Sequence, residues 1–295
     1  MSALSTVLAL LAFAANSLLC RVALAPPAID PWSFAGLRLG SGALVLALLV
    51  RQRARVGSSS PGRAAVWRRA GWLLLYALPF SLAYVALDAG TGALLLFGSV
   101  QLTMLGLGIL RGERPRPIEW LAIAGAAAGV VYLVLPGVTA PDPLGAALMV
   151  AAGVGWGLYS LAGRHAGEPV AATAAAFSRA ALVALPCAAI AFGLSRSAIT
   201  ARGALLALLS GAVTSGLGYV VWYAALRSLT ATRAALVQLA VPPLAVLGGV
   251  LFLGERLTTR LLIASVVILS SIALGVLARR VRAPTSSGIG PRVRP

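Results

Sequence analysis

Charged residues are scarce in this chain, and acidic ones are the scarcest. Only 11% of its 295 residues are charged and 60% are hydrophobic, whereas a soluble domain carries about 25% charged residues. So few charges cannot cover the surface of a soluble fold of this length, and the composition indicates a polytopic membrane protein. The two cysteines, Cys20 and Cys187, lie inside apolar runs, where a cysteine is usually a small packing residue, so a disulfide scaffold is excluded.

The acidic residues are seven in number, and all of them lie at the ends of apolar runs or in connections. Proton- and sodium-coupled carriers usually keep an ionisable group at membrane depth, so coupling through a buried carboxylate is disfavoured. The single histidine, His165, follows an apolar run, which favours a solvated end residue over a proton relay. The sequence offers no nucleophile or acid–base pair, phosphate-binding loop or metal-ligand cluster, so neither enzymatic activity nor a cofactor or metal is expected.

Lysine is absent, and all 24 basic residues are arginines, in a chain of formal net charge +17. Most arginines lie in the connections between apolar runs, which indicates membrane topology rather than nucleic-acid binding. With a cytoplasmic N-terminus, seventeen arginines fall on the inner side and four on the outer side. Because short cytoplasmic loops are enriched in basic residues, both termini are predicted to lie in the cytoplasm. The predicted location is the bacterial inner membrane.

Ten apolar runs have about the 20 residues needed to cross a bilayer. Lipid offers no hydrogen-bond partner to backbone amides, so each run is expected to be helical. The predicted fold is therefore an all-α membrane protein with ten transmembrane helices. These are residues 3–24, 31–50, 70–87, 91–110, 118–135, 143–164, 170–193, 202–225, 233–253 and 258–278.

Four short motifs recur in chain order at a nearly constant spacing. The pairs are Ser17–Arg21 with Ser160–Arg164, Phe34–Arg38 with the run that ends at Arg179, Ser81–Val85 with Gly216–Val220, and Leu110–Arg114 with Phe252–Arg256. They predict a first repeat over residues 1–137, a second over 138–281 and a disordered basic tail over 282–295. Each repeat holds five helices, an odd number, so the second enters the membrane inverted. Inverted repeats place a binding site at their interface and work by alternating access.

The order of these motifs resembles the drug/metabolite transporter superfamily in its form with two EamA-type repeats. The resemblance rests on Phe34–Arg38, Leu87–Leu96, Gly112–Pro115 and Gly254–Arg256, and Asn16–Arg21 is similar to a signature of YddG-type aromatic amino-acid exporters. It implies a carrier with helices 1–4 and 6–9 around a central cavity and helices 5 and 10 outside. Its expected substrates are amino acids, aromatic ones above all, or related small metabolites. The alternatives are a multidrug or lipophilic-metabolite exporter, and a membrane scaffold or enzyme that transports nothing.

Aromatic and uncharged polar side chains at membrane depth are the candidates for substrate binding. Tyrosine is the strongest of them, because its hydroxyl needs a partner away from lipid, whereas ordinary packing is the favoured interpretation of Phe80. The polar amides either bind substrate or join helices. The candidates are Asn16, Tyr76, Phe80, Tyr84, Gln101, Trp156, Tyr159, Tyr219, Trp222, Tyr223 and Gln238.

Arginines near the ends of spans are candidates for gates or for binding a substrate carboxylate. Arg21, Arg38 and Glu255 belong to the predicted outer end, and Arg164, Arg179 and Glu113 to the inner end. A partly buried charge is costly unless it is paired, so each glutamate is expected near an arginine of its own end. The alternative is that the arginines extend to the lipid headgroups.

Overall fold

The computed structural model describes residues 2–25, 28–53, 62–112, 114–163, 168–195, 199–226 and 237–280. Regular structure within these ranges is entirely helical, without a strand. The helices are α1 (Ser2–Leu24), α2 (Pro31–Arg53), α3 (Arg63–Ala83), α4 (Ala89–Leu110), α5 (Pro117–Val134), α6 (Pro143–Gly163), α7 (Pro169–Ser195), α8 (Ala201–Leu209), α9 (Gly218–Leu226), α10 (Val241–Leu253) and α11 (Thr259–Arg280).

Eight helical segments of the described residues are long and apolar enough to cross a membrane. They correspond to eight of the ten predicted spans. The third prediction falls on α3, a helix that includes Arg63, Arg68 and Arg69 in its first turns. The ninth falls on α10, which is a shorter apolar helix, and residues 233–236 of that predicted span lie outside the described ranges. The molecule is thus an all-helical, multi-pass membrane protein, and the count of ten stays a prediction.

Helices from the two halves of the chain pack against each other. The most extensive helix–helix contacts join α2 to α7, α3 to α6, and α4 to both α6 and α10. Helix α1 lies against α9 and α10. The last helix, α11, packs along α5, and these two have the least buried spans, at 28% each. The central bundle is therefore built from both halves, and α5 with α11 lies at its side.

A π-helical segment, Ser210–Leu217, connects α8 to α9 within one continuous span. π-helical turns are rare and frequently occur at functional sites. Gly211 allows this segment to lie directly on α2, because a Cβ atom at position 211 would overlap the carbonyl oxygen of Arg38. The close approach brings the hydroxyl-bearing residues of the π segment beside the buried face of α2.

Candidate functional site

Arg38 is the largest of the fully buried side chains, with 2% of its surface exposed. Its Nε donates to Ser215 Oγ at 3.2 Å and its Nη2 donates to Tyr76 Oη at 2.7 Å, whereas its Nη1 has no hydrogen-bond partner. Within the part of the chain that the structure describes, no Asp or Glu carboxylate lies within salt-bridge distance of this guanidinium.

Asn16 of α1 extends this polar network to the π segment. Its Oδ1 accepts hydrogen bonds from Ser210 Oγ at 2.7 Å and Thr214 Oγ1 at 3.0 Å. Its Nδ2 donates to Tyr76 Oη at 3.5 Å, the same hydroxyl that accepts from Arg38. Side chains of α1, α2, α3 and the π segment are thus connected at one point in the centre of the bundle.

Aromatic rings surround this network, and Trp156 lies at their centre. Its ring centroid is 4.9 Å from that of Tyr76, 5.1 Å from that of Tyr219 and 5.6 Å from that of Tyr159, on which it is stacked. Phe13 meets Tyr219 edge to face at 5.9 Å. Aromatic pairs at such distances stabilise one another by about 0.5–1.5 kcal/mol beyond area burial, so they hold the rings in place.

The Arg38 guanidinium also lies over two of these rings. Its central carbon is 5.0 Å from the ring centre of Tyr76 and 4.9 Å from that of Phe80. A cation within about 6 Å of an aromatic ring centre is attracted by the ring quadrupole. The rings therefore stabilise a charge that no described carboxylate neutralises.

A small cavity lies between the rings and the polar network, with a volume of about 20 Å³. That volume holds about one water molecule, so a substrate of amino-acid size enters only if the helices move apart. Arg38 lies directly behind the lining of the cavity, because three residues that it contacts, Tyr76, Ser215 and Phe80, are lining residues. The lining residues are Phe13, Asn16, Ser17, Tyr76, Phe80, Leu96, Phe97, Trp156, Thr214, Ser215 and Tyr219.

A second polar cluster joins α1, the start of α4 and the connection after α10. Arg21 lies 3.3 Å from Asp88 and 3.6 Å from Glu255. Both carboxylate oxygens of Glu255 accept from the backbone amide of Ala89, at 2.8 and 3.0 Å, at the N-terminus of α4, where the helix dipole favours an anion. Burial raises the pKa of the Glu255 carboxyl above its usual value, against the opposing effects of the Ala89 amide and Arg21.

The second half of the bundle carries a recognisable family pattern. Residues 143–277 match the model of the EamA-like transporter family, and 277 residues are 52% identical to an uncharacterized protein of Pseudomonas aeruginosa, covering 94% of each chain. Residues 143–277 belong to the EamA-like transporter family. A solved crystal structure shares its fold with a TM-score of 0.65 at 23% identity, covering 96% of this chain and 99% of the other.

Membership makes this EamA-like protein a membrane transporter of the drug/metabolite transporter superfamily, with a small molecule as its substrate. The structure brings five of the predicted substrate-binding residues together around the cavity of the transporter. They are Asn16, Tyr76, Phe80, Trp156 and Tyr219. Arg38, predicted as a gating or carboxylate-binding residue, lies directly behind them.

Six other predicted substrate-binding residues of the EamA-like transporter do not line the cavity. Tyr159 is buried behind Trp156, and Tyr84 packs on Phe80 and donates to the carbonyl of Ala89 at 3.3 Å. The hydroxyl of Tyr223 accepts from that of Thr173 at 3.4 Å, and Trp222 meets Phe13 at 5.8 Å. The remaining two, outside the lining of the cavity, are the buried Gln101 and the half-buried Gln238.

Only part of the predicted inner end lies within the residues that the structure describes. Glu113 and Arg164 lie outside the described residues, so their pairing stays a prediction. Arg179 is half-buried on α7, and its Nη1 donates to the carbonyl of Ala175 in the same helix at 3.4 Å. At the predicted outer end, Glu255 lies beside Arg21, one of the two arginines expected near it, while Asp88 is a partner of Arg21 that the sequence did not suggest.

Sequence reasoning missed Phe13, Thr214 and Ser215 as members of the site. Phe13 stands three residues before Asn16 on α1, a spacing that places both on one helix face. This spacing could have identified Phe13 as a site residue. Thr214 and Ser215 are polar residues of an apolar span, but nothing in their spacing indicates that Thr214 meets Asn16 of α1 and Ser215 meets Arg38 of α2.

Proposed function

We propose that this EamA-like transporter is a secondary carrier of the bacterial inner membrane that exports amino acids, above all aromatic ones, or related small metabolites. The observation that supports the proposal is the central cavity, which has aromatic walls from α1, α3, α6 and α9 and a buried polar network beside it. Cavities with apolar walls and a few placed polar groups are typical of small-molecule sites. Aromatic substrates stack on such walls, while the polar network orients their charged end.

The proposed movement is alternating access by two inverted five-helix repeats, residues 1–137 and 138–281, in a ten-helix protein with both termini cytoplasmic. Helix contacts between the halves support it, because α2 lies on α7 and α3 lies on α6. A cavity with room for one water molecule is suited to a closed stage of such a cycle. Opening on either side would then widen the cavity for the substrate.

The alternative substrate class is lipophilic cations and drugs. A cationic drug would need a carboxylate near the cavity, and none of the described residues that line it is acidic. The buried Arg38 also repels a second cation. These two observations favour an anionic or zwitterionic substrate.

Counterflow of labelled phenylalanine and tryptophan in proteoliposomes tests the proposal. Trp156→Ala and Tyr219→Ala remove stacking partners worth about 0.5–1.5 kcal/mol each, so a several-fold loss of counterflow is expected from either. Tyr132→Ala is the matched control, because Tyr132 lies on the peripheral α5 with 37% of its surface exposed, and should transport normally. Absence of amino-acid counterflow by folded protein would contradict the proposal.

A further inference from the structure

We infer that the preferred substrates are aromatic carboxylates without a protonated amine, bound through the free Nη1 edge of Arg38. The inference rests on the proposed function, because it selects a class among the amino acids and related metabolites. Its basis is an imbalance in the polar network, which has a free donor and no free strong acceptor for an ammonium group.

The strongest acceptors of the network are already in use. Asn16 Oδ1 accepts a hydrogen bond from Ser210 and lies 3.0 Å from Thr214 Oγ1, whose one proton it shares with the carbonyl of Ser210. Tyr76 Oη accepts two hydrogen bonds, from Arg38 and Asn16. An ammonium group would have to compete with these donors, whereas a carboxylate supplies the acceptor that the network lacks.

Arg38 has free donors that a carboxylate can use. Nη1 carries two N–H groups with no partner, and Nη2 uses one of its two N–H groups on Tyr76 Oη. Three N–H groups on these two nitrogens are therefore left for a ligand, and a guanidinium can bind a carboxylate through both of its oxygens. The rings of Tyr76 and Phe80 have their centres within 5.0 Å of the guanidinium carbon, so an aromatic substrate bound at this charge would meet aromatic side chains beside its carboxylate.

Charge balance selects the same class. A buried guanidinium without a counter-ion is costly, and a bound monoanion neutralises it. A zwitterionic amino acid would leave the closed site with a net positive charge. Its ammonium group would also lie among aromatic rings and acceptors that already have hydrogen-bond donors. An amine would add a second positive charge. The expected order of affinity is therefore the carboxylate, the amino acid, and then the amine.

Four ligands with the same ring and the same two carbons between the ring and the functional group test this order on protein in lipid nanodiscs: 3-phenylpropanoate, phenylalanine, phenethylamine and 3-phenylpropanamide. Isothermal titration calorimetry measures binding directly and avoids the leakage of small aromatic compounds through liposomes. Because a hydrogen bond to a charged group is worth more than a neutral one, the acid should bind at least tenfold more tightly than the amide and the amine. It should also bind at least as tightly as phenylalanine.

Arg38→Gln should reduce the preference for the acid over the amide at least tenfold while the amide still binds. Arg202→Gln is the control for loss of one charge, because Arg202 is exposed at the start of α8, and it should keep the wild-type preference. If Arg38→Gln does not fold, the four-ligand series on the wild-type protein decides alone.

Tenfold tighter binding of phenylalanine than of the acid would overturn the inference and leave the proposed function intact. Binding of the amine or the amide as tight as that of the acid would also overturn it. If none of the four ligands binds and no amino-acid counterflow occurs, the proposed function fails together with the inference.

Discussion

Glu255 has two roles at one carboxylate, since it accepts from the first amide of α4 and lies 3.6 Å from Arg21. Both contacts join the connection after α10 to the first half of the chain. The raised pKa of Glu255 means that the folded protein binds this proton more tightly than the unfolded chain does. Between the usual and the raised pKa, stability therefore falls as the pH rises, because the ionised carboxylate is costly at this partly buried position.

Glu255→Gln should remove this part of the pH dependence, because glutamine keeps an acceptor for Ala89 but does not titrate. The melting temperature of the detergent-solubilised protein, measured from below the usual glutamate pKa to neutral pH, should decline less steeply in the variant. Glu168→Gln is the control, because Glu168 is exposed before α7, and should reproduce the wild-type slope. An unchanged slope in Glu255→Gln would show that this carboxyl does not titrate as the geometry implies.

Individual site residues were predictable only where their own chemistry marked them. Tyr76 and Trp156 are conspicuous in an apolar span, so both could be selected before the fold was known. The bond from Arg38 to Ser215 joins positions 177 residues apart, and no local pattern encodes such a pair. Tyr223 was predicted to bind substrate, but it does not line the cavity. It lies on the same span as Tyr219, yet its side chain contacts Thr173 of α7.

At the scale of the helices, the packing of the π segment against α2 depends on the absence of a side chain at Gly211. Gly211→Ala should lower stability by about 1–3 kcal/mol, the usual cost of overpacking, because a Cβ atom there overlaps the backbone of α2 at Arg38 and the side chain of Ser41. Gly193→Ala is the matched control on α7, where an added Cβ has nothing within 4 Å. Thermal unfolding should show a melting temperature several degrees lower for the first variant only.

Equal melting temperatures for the two glycine variants would mean that α2 and the π segment separate without cost. The helix itself was predictable, since residues 202–225 form one apolar run, but its π-helical turn was not. That turn depends on contact with α2, and the hydrophobicity of the run carries no information about it.

Across the whole molecule, transport is expected to be facilitative, because the cavity lining has no acidic side chain within the ranges that the structure describes and none occurs in the middle of a predicted span. Counterflow of labelled substrate in proteoliposomes should persist when an uncoupler collapses the proton gradient and sodium is replaced by choline. Phenylalanine counterflow that stops under these conditions would show that coupling uses some other group.

The overall fold was more predictable than the site. Lipid forces each apolar run into a helix, so the eight predicted spans that the structure shows as long apolar helices follow from residue composition and length alone. The α3 span departs from this simple pattern, because Arg63, Arg68 and Arg69 extend the helix beyond the predicted start at residue 70. Contacts between the halves depend on side-chain shape, which the hydrophobic pattern does not specify.

The unpaired Nη1 of Arg38 also has a kinetic consequence. An empty carrier must pass through its closed stage with this charge uncompensated, whereas a carrier loaded with an anion passes through it neutral. The return of the empty protein should therefore be the slow step, and exchange of substrate across the membrane should be faster than net efflux. Preloaded liposomes should release labelled 3-phenylpropanoate several-fold faster into medium containing unlabelled acid than into plain buffer, after subtraction of the leak from protein-free liposomes. Equal rates would show that burying the free guanidinium does not limit the cycle.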